Sequence, residues 1–235
     1  MILEICANSV TSALAAQAGG AQRVELCTNL AQGGTTPSYG EIALARKLLH
    51  IRLFVLIRPR PGDFVYSDLE YSIMRADMER AISLGCDGIV LGILKADGHI
   101  DKERCKPLVD MAKSARLAIT FHRAFDVVAD QLQALEDIID LGCDRILTSG
   151  AQQTAMAGAD TIAQLVKAAA DRIIIMPGSG INEANIAELK WITGATEFHT
   201  SAKVKVAMQV SSHLDFGDVE VTDAGLVREL VRLLK

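Results

Sequence analysis

The chain has 235 residues, half of them hydrophobic, with 24 lysines and arginines against 29 aspartates and glutamates for a formal net charge of −5. That balance supplies no broad basic face for nucleic acid or an anionic membrane, and no apolar run approaches the roughly 18 residues of a membrane span. Five cysteines without a C-x-x-C pair, behind an N-terminus with neither a basic nor a long apolar signal region, lead us to expect one domain over residues 1–235, in the cytoplasm, with free thiols.

Ile2 to Cys6 reads as a short buried strand, followed by a helix from Val10 to Ala18 behind the cap Ser9. Next comes Gly20-Ala21-Gln22-Arg23-Val24-Glu25-Leu26-Cys27, the first of four copies of one phrase: glycine, a small residue, two variable positions, then a strand. The others begin at Gly85, Gly142 and Gly194. A glycine after a helix suits the left-handed conformation that ends it, so each copy predicts a helix-to-strand turn. Between them lie strands at Arg52 to Arg58, Leu117 to His122 and Arg172 to Met176. Further helices are predicted at Tyr39 to Leu49, Asp68 to Leu84, Lys102 to Ser114, Gln131 to Leu141, Thr161 to Ala170, Glu183 to Ile192 and Asp223 to Leu234, with Ser38, Ser67, Asp101, Asp130 and Asn182 among the caps. Eight strands alternating with eight helices predict a (β/α)8 TIM barrel. A doubly wound open sheet would want a glycine-rich phosphate loop after its first strand, and Cys6-Ala7-Asn8-Ser9 contains no glycine.

Chemistry in this fold belongs to the C-terminal rim of the strands. Strand alternation sends Glu25 and Cys27, Leu147 and Ser149, and His199 and Ser201 inward, joined by Glu4, Cys6, Arg58, Thr120 and His122. Glu25, His122, Glu197 and His199 are the candidate proton carriers of a polar pocket. A bland alternative pairs Glu4 and Glu25 with Arg58 or another buried cation. Cys6 and Cys27 end neighbouring strands at similar height, about 5 Å apart, where soft sulfurs suit Cu(I); cysteine is also an ordinary small buried residue. Cys86 and Cys143, at the opposite rim, and Cys105, in a helix, are read as packing.

Loops extend the candidates. Gly33-Gly34 lies in a hydroxyl-rich loop, and Arg58-Pro59-Arg60 leads one in which Arg58 and Arg60 either grip an anion or pair with acids such as Asp63. His122 has Asp126 four residues on, a spacing that allows a carboxylate to orient it. Ser149 and the turn Gly178-Ser179-Gly180 follow later strands, where such barrels hold phosphate. His50 and His213 are not site candidates.

Taken in order, Glu25-Leu26-Cys27, Gly33-Gly34-Thr35-Thr36-Pro37-Ser38, Ile57-Arg58-Pro59-Arg60, Asp97-Gly98-His99-Ile100-Asp101, Thr120-Phe121-His122-Arg123-Ala124-Phe125-Asp126, Leu147-Thr148-Ser149-Gly150, Met176-Pro177-Gly178 and Glu197-Phe198-His199 resemble the CutC copper-homeostasis family. The resemblance implies a cytosolic TIM barrel, often a homodimer, with Cys6 and Cys27 matching the proposed Cu(I) ligands. The sequence departs from it at Met208-Gln209-Val210-Ser211, which lacks an arginine the family carries, and at Gly178-Ser179-Gly180-Ile181, where the family has three glycines. Three functions therefore stand open: Cu(I) binding, an enzyme acting on a small anionic or phosphorylated substrate with Glu4, Arg58, Arg60, Ser149 and Gly178 to Gly180 around its ligand, and a divalent-metal hydrolase using Glu4, Glu25 and His199. No organic cofactor is expected.

Overall fold

The structure is a computed structural model that describes residues 1–206 and 219–235. Its eight core strands are β1 (Ile2–Ala7), β2 (Arg23–Leu26), β3 (Arg52–Leu56), β4 (Gly88–Leu91), β5 (Ala118–Phe121), β6 (Arg145–Thr148), β7 (Ile174–Pro177) and β8 (Glu197–Thr200). All pair in parallel, in the order β7-β6-β5-β4-β3-β2-β1-β8, and a bridge between Gly178 and His199 brings the two ends together into a nearly closed barrel. Each strand thus lies beside its sequence neighbours, as a series of right-handed βαβ units demands. The predicted TIM barrel is the fold.

The helices between them are α1 (Val10–Gly19), α2 (Tyr39–Leu48), α3 (Asp68–Ser83), α4 (Lys102–Ser114), α5 (Gln131–Leu141), α6 (Ala159–Ala169), α7 (Ile186–Thr193) and α8 (Ala224–Leu234). Local chemistry starts most of them where expected. Ser9, Ser38, Ser67, Asp101 and Asp130 each accept a backbone N–H of the first turn, and Ser38 and Ser67 complete capping boxes with Glu41 and Glu70. Asn182 does not: its side chain takes the N–H of Ala184 in a preceding turn, so α7 starts three residues later than predicted. The repeat glycines Gly20, Gly85, Gly142 and Gly194 have φ of +93°, +76°, +89° and +66°, the left-handed region where a Cβ is strained.

One element was not foreseen. After β8 the chain enters an antiparallel pair, β9 (Lys203–Val206) and β10 (Val219–Thr222), before α8. Met208 to Ser211 and His213 fall outside the described residues.

Two apolar layers hold the barrel. Outside the strands, Leu3, Val24, Leu26, Val55, Ile89 and Phe198 pack against the helices and are essentially inaccessible. Inside it, Cys6, Cys27, Phe54, Leu56 and Val90 form a smaller cluster. Cys86, Cys105 and Cys143 lie in the outer layer, matching their reading as packing, and all five cysteines are free thiols. Phe54 owes its place to Gly88 on the next strand, where a Cβ would sit 2.5 Å from the ring. The Gly88→Ala substitution is expected to cost about 1–3 kcal/mol by overpacking, read as a lower urea midpoint with an unchanged slope.

Candidate functional site

The barrel interior is polar at its floor. Arg23 on β2 donates through Nε to Glu4 on β1 and through Nη2 to Glu197 on β8, and Arg145 on β6 reaches the same Glu197 oxygen at 3.1 Å. Both guanidiniums lie over the Phe54 ring, 4.9 and 5.1 Å from its centre. All four charged side chains are buried. Arg23, Arg145 and Glu197 occupy the third position after the repeat glycine, which faces the same way as the fifth and seventh. The two arginines were missed because only the fifth and seventh positions were read, although strand parity already carried the signal.

The cation that neutralises Glu4 is therefore Arg23, not Arg58. Arg58 instead donates to three main-chain oxygens, those of Gln32 at 3.2 Å, Gly34 at 2.7 Å and Gly62 at 2.8 Å.

Above this floor stands His199. Its Nδ1 is 2.7 Å from Glu4 Oε1 and 3.6 Å from Glu25 Oε2. Burial would raise the pKa of Glu4, but Arg23 and His199 hold it down at about 2. His199 moves upward: burial opposes its charge, and the Glu4 hydrogen bond with the Glu25 and Glu4 carboxyls overcomes it. Glu25, with its Oε2 buried and without a hydrogen bond, is pushed up to about 8 by burial, with His199 opposing and the Glu4 charge adding.

That carboxyl has a consequence for stability. Unfolded, Glu25 loses its proton near 4.5, whereas in the native barrel it keeps it to about 8. The stabilisation is complete below about pH 4.5 and is lost as pH rises through about 8. Urea titrations from pH 5 to 9 should show the wild type losing stability along this window and the Glu25→Gln variant losing markedly less.

His122, after β5, is a different imidazole. Its Nδ1 accepts the Ala124 N–H at 3.1 Å, which places the proton on Nε2, and burial followed by the nearby Arg58 charge lowers its pKa to about 3. It is neutral throughout the physiological range. The expected pairing with Asp126 is absent, because Asp126 accepts from Thr148 Oγ1 at 2.5 Å, from the amides of Ser149 and Ala151, and from Arg123 Nε at 2.7 Å. That carboxylate anchors the loop after β6 rather than orienting His122.

A cavity of about 580 Å³ opens at the C-terminal ends of the strands. Of the predicted residues, Cys6, Glu25, Arg58, His122 and His199 line it together with Ser179 and Gly180. Glu4 and Glu197 belong to the floor beneath. Arg60 stands apart, tied to Glu70 at 2.5 Å and Asp63 at 2.9 Å, the pairing kept open as its bland alternative. Ser149 is enclosed between Arg123 and the Gln152 carbonyl, and Gly178 is wedged where a Cβ would meet Leu147 at 2.5 Å. Arg123, Phe64 and Lys203 join the lining without having been predicted; Lys203 does so from the unforeseen β9.

Cys6 and Cys27 are not opposite one another, since the register pairs Cys6 with Glu25. Their sulfurs nevertheless approach to 3.6 Å. Two donor sets thus adjoin in one barrel: these thiols, and the oxygens and nitrogen of Glu4, Glu25 and His199, which lie within 4.8 Å of one another. The first suits a soft ion and the second a divalent one.

Comparison with known proteins gives consistent relatives. The model of the CutC family matches residues 1–204. A family protein named CutC from Xylella fastidiosa strain 9a5c is 53% identical over 237 residues, covering 99% of this chain and 88% of its own length. Another from Bacteroides thetaiotaomicron is 49% identical over 244 residues, covering 99% and 97%. The crystal structure of a Streptococcus agalactiae CutC, described as a candidate copper homeostasis protein, superimposes with a TM-score of 0.81 at 40% identity over 86% of this chain and 98% of that one.

Proposed function

The chain belongs to the CutC family, and from the geometry of its barrel mouth we propose that it is an enzyme moving a carbon-bound proton on a small anionic substrate. The observation that carries this is the contact of His199 Nδ1 with the buried Glu4 carboxylate at 2.7 Å. A histidine held through one nitrogen by a fixed carboxylate offers the other to a substrate as general base or acid. Arg23 fixes that carboxylate in turn. Glu25, protonated to about pH 8 beside it, is a second proton carrier, and neutral His122 is a hydrogen-bond donor. Carboxyls driven apart in acidity within one pocket are the usual basis for dividing acid and base roles. Incubating the protein with a small-metabolite extract in heavy water tests the reading by mass spectrometry. Enzyme-dependent deuterium in one component is expected, and none in any component would refute it.

A second reading is favoured by the two sulfurs at 3.6 Å. In it Cys6 and Cys27 hold Cu(I) in a cytoplasmic protein that takes part in copper homeostasis; copper homeostasis is the role in the name of the Streptococcus agalactiae relative. The donors fit a soft monovalent ion in type and proximity, and Cys6 opens to the cavity. Its pKa is raised far above the ordinary thiol value by the Cys27 contact and by burial, so binding would release protons and tighten with rising pH. Titrating the reduced protein with Cu(I) should give a stoichiometric site that the Cys6→Ser/Cys27→Ser double variant lacks; equal binding by both ends the reading.

A further inference from the structure

The cavity that holds the proton carriers also contains a charge without a partner. Arg58 is 5% exposed, and its three acceptors are neutral carbonyl oxygens, so its hydrogen bonds are largely met while its charge is not. Its Nε has no acceptor at all. Removing an ion from water costs several kcal/mol unless an opposite charge offsets it. The other cations of the lining have one: Arg123 pairs with Asp126 at 2.7 Å, and Lys203 with Glu220 at 2.5 Å. Among the described residues Arg58 is the lining cation with no carboxylate. The Tyr66 hydroxyl beside it, pushed up to about 12 by burial, is neutral and supplies no compensating charge.

His122 adds a second observation in the same cavity. Because Nδ1 accepts from Ala124, Nε2 carries the proton, and this N–H also has no acceptor although the residue is 5% exposed. Arg58 and His122 both pack on Phe64, each 5.0 Å from the ring centre, and all three line the cavity. Buried donors without acceptors are rare, because each forfeits the hydrogen bond it made in water. Two of them beside an uncompensated positive charge describe a site lacking an anionic oxygen.

We propose that Arg58 and His122 form an oxyanion subsite for a carboxylate or phosphate group, which holds one end of a small substrate while Glu25 and His199 act on the other. Its place in catalysis rests on the proton-transfer reading; the binding does not. Leu30, Leu56, Phe64 and Leu147 give the same cavity apolar lining, so the substrate carries a hydrocarbon or aromatic body as well as its anion.

Thermal melts and calorimetry of the full chain with sodium benzoate and with phenyl phosphate, against sodium chloride at matched ionic strength, test the subsite directly. A saturable rise in Tm is expected with at least one of the two, and the arm that responds identifies the group. The His122→Leu variant should bind about 10-fold more weakly or worse, and Arg58→Lys should weaken in the same direction. Glu25→Gln should keep anion binding while losing deuterium incorporation. If neither anion raises Tm beyond chloride, or if His122→Leu and Arg58→Lys bind like the wild type, the subsite is wrong. Should Arg58→Lys fail to fold because its loop contacts are lost, His122→Leu decides. Anion binding without any deuterium incorporation would remove the proton-transfer reading and leave the subsite standing.

Discussion

The Arg23→Met variant is expected to lose about 3–5 kcal/mol of stability, because it strands two carboxylates inside the barrel. Methionine is long and unbranched enough to fill much of the space over Phe54, so the loss measures charge more than volume. Glu4 would retain His199, and Glu197 would retain Arg145 at 3.1 Å, but each would lose its shared cation. Glu4 would then rise well above about 2, where Arg23 helps to hold it. Urea denaturation at pH 7 reads the effect, with a Tm lower by roughly 10 °C for a chain of this size. Removing all four charges together, as Glu4→Gln/Arg23→Met/Arg145→Met/Glu197→Gln, should recover much of that stability, since Arg145 loses its partner with Glu197 and a matched set of neutral groups avoids burying an unpaired ion. A single variant as stable as the wild type would show that the network does not hold the barrel.

The His199→Gln variant should lose deuterium incorporation by about 10²–10⁴-fold, the usual worth of a positioned acid or base. Glu4→Gln should fall within the same range for a separate reason. It keeps the shape and a hydrogen bond to Nδ1 but removes the charge that favours imidazolium. The two carboxyls beside His199 raise its pKa, so removing one lowers it, and the limb of the pH–rate profile that reports His199 should move to lower pH in Glu4→Gln. A purely structural role for Glu4 would reduce the rate and leave that limb in place. Measuring exchange from pH 5 to 9 in both proteins separates the outcomes.

Much of the barrel was legible because its signals are local. A glycine that must adopt positive φ, a serine that caps the turn beside it and a run of apolar residues each act over a few positions, and Gly20, Ser38 and the segment Leu53 to Leu56 do so as read. Local signals misled where two compete: Asn182 has the chemistry of a cap, but a turn stabilised by its own side chain delays α7. The pairing of β9 with β10 had no comparable local mark.

The site divides along the same line. Strand alternation in the sequence determined that Glu4, Cys6, Glu25, Arg58, His122 and His199 face one interior, and the fold rule placed that interior's chemistry at the strand C-termini. It could not say which partner each would take. Residues far apart in sequence, such as Glu4 and His199 or Arg23 and Glu197, meet only because the last strand of the barrel pairs with the first, a closure that sets β8 against β1. Only the tertiary structure, through the three-dimensional field and burial that this closure creates, decided that Asp126 serves a loop, that Arg58 lacks a carboxylate, and that Glu4 and Glu25 hold opposite protonation states a few ångströms apart.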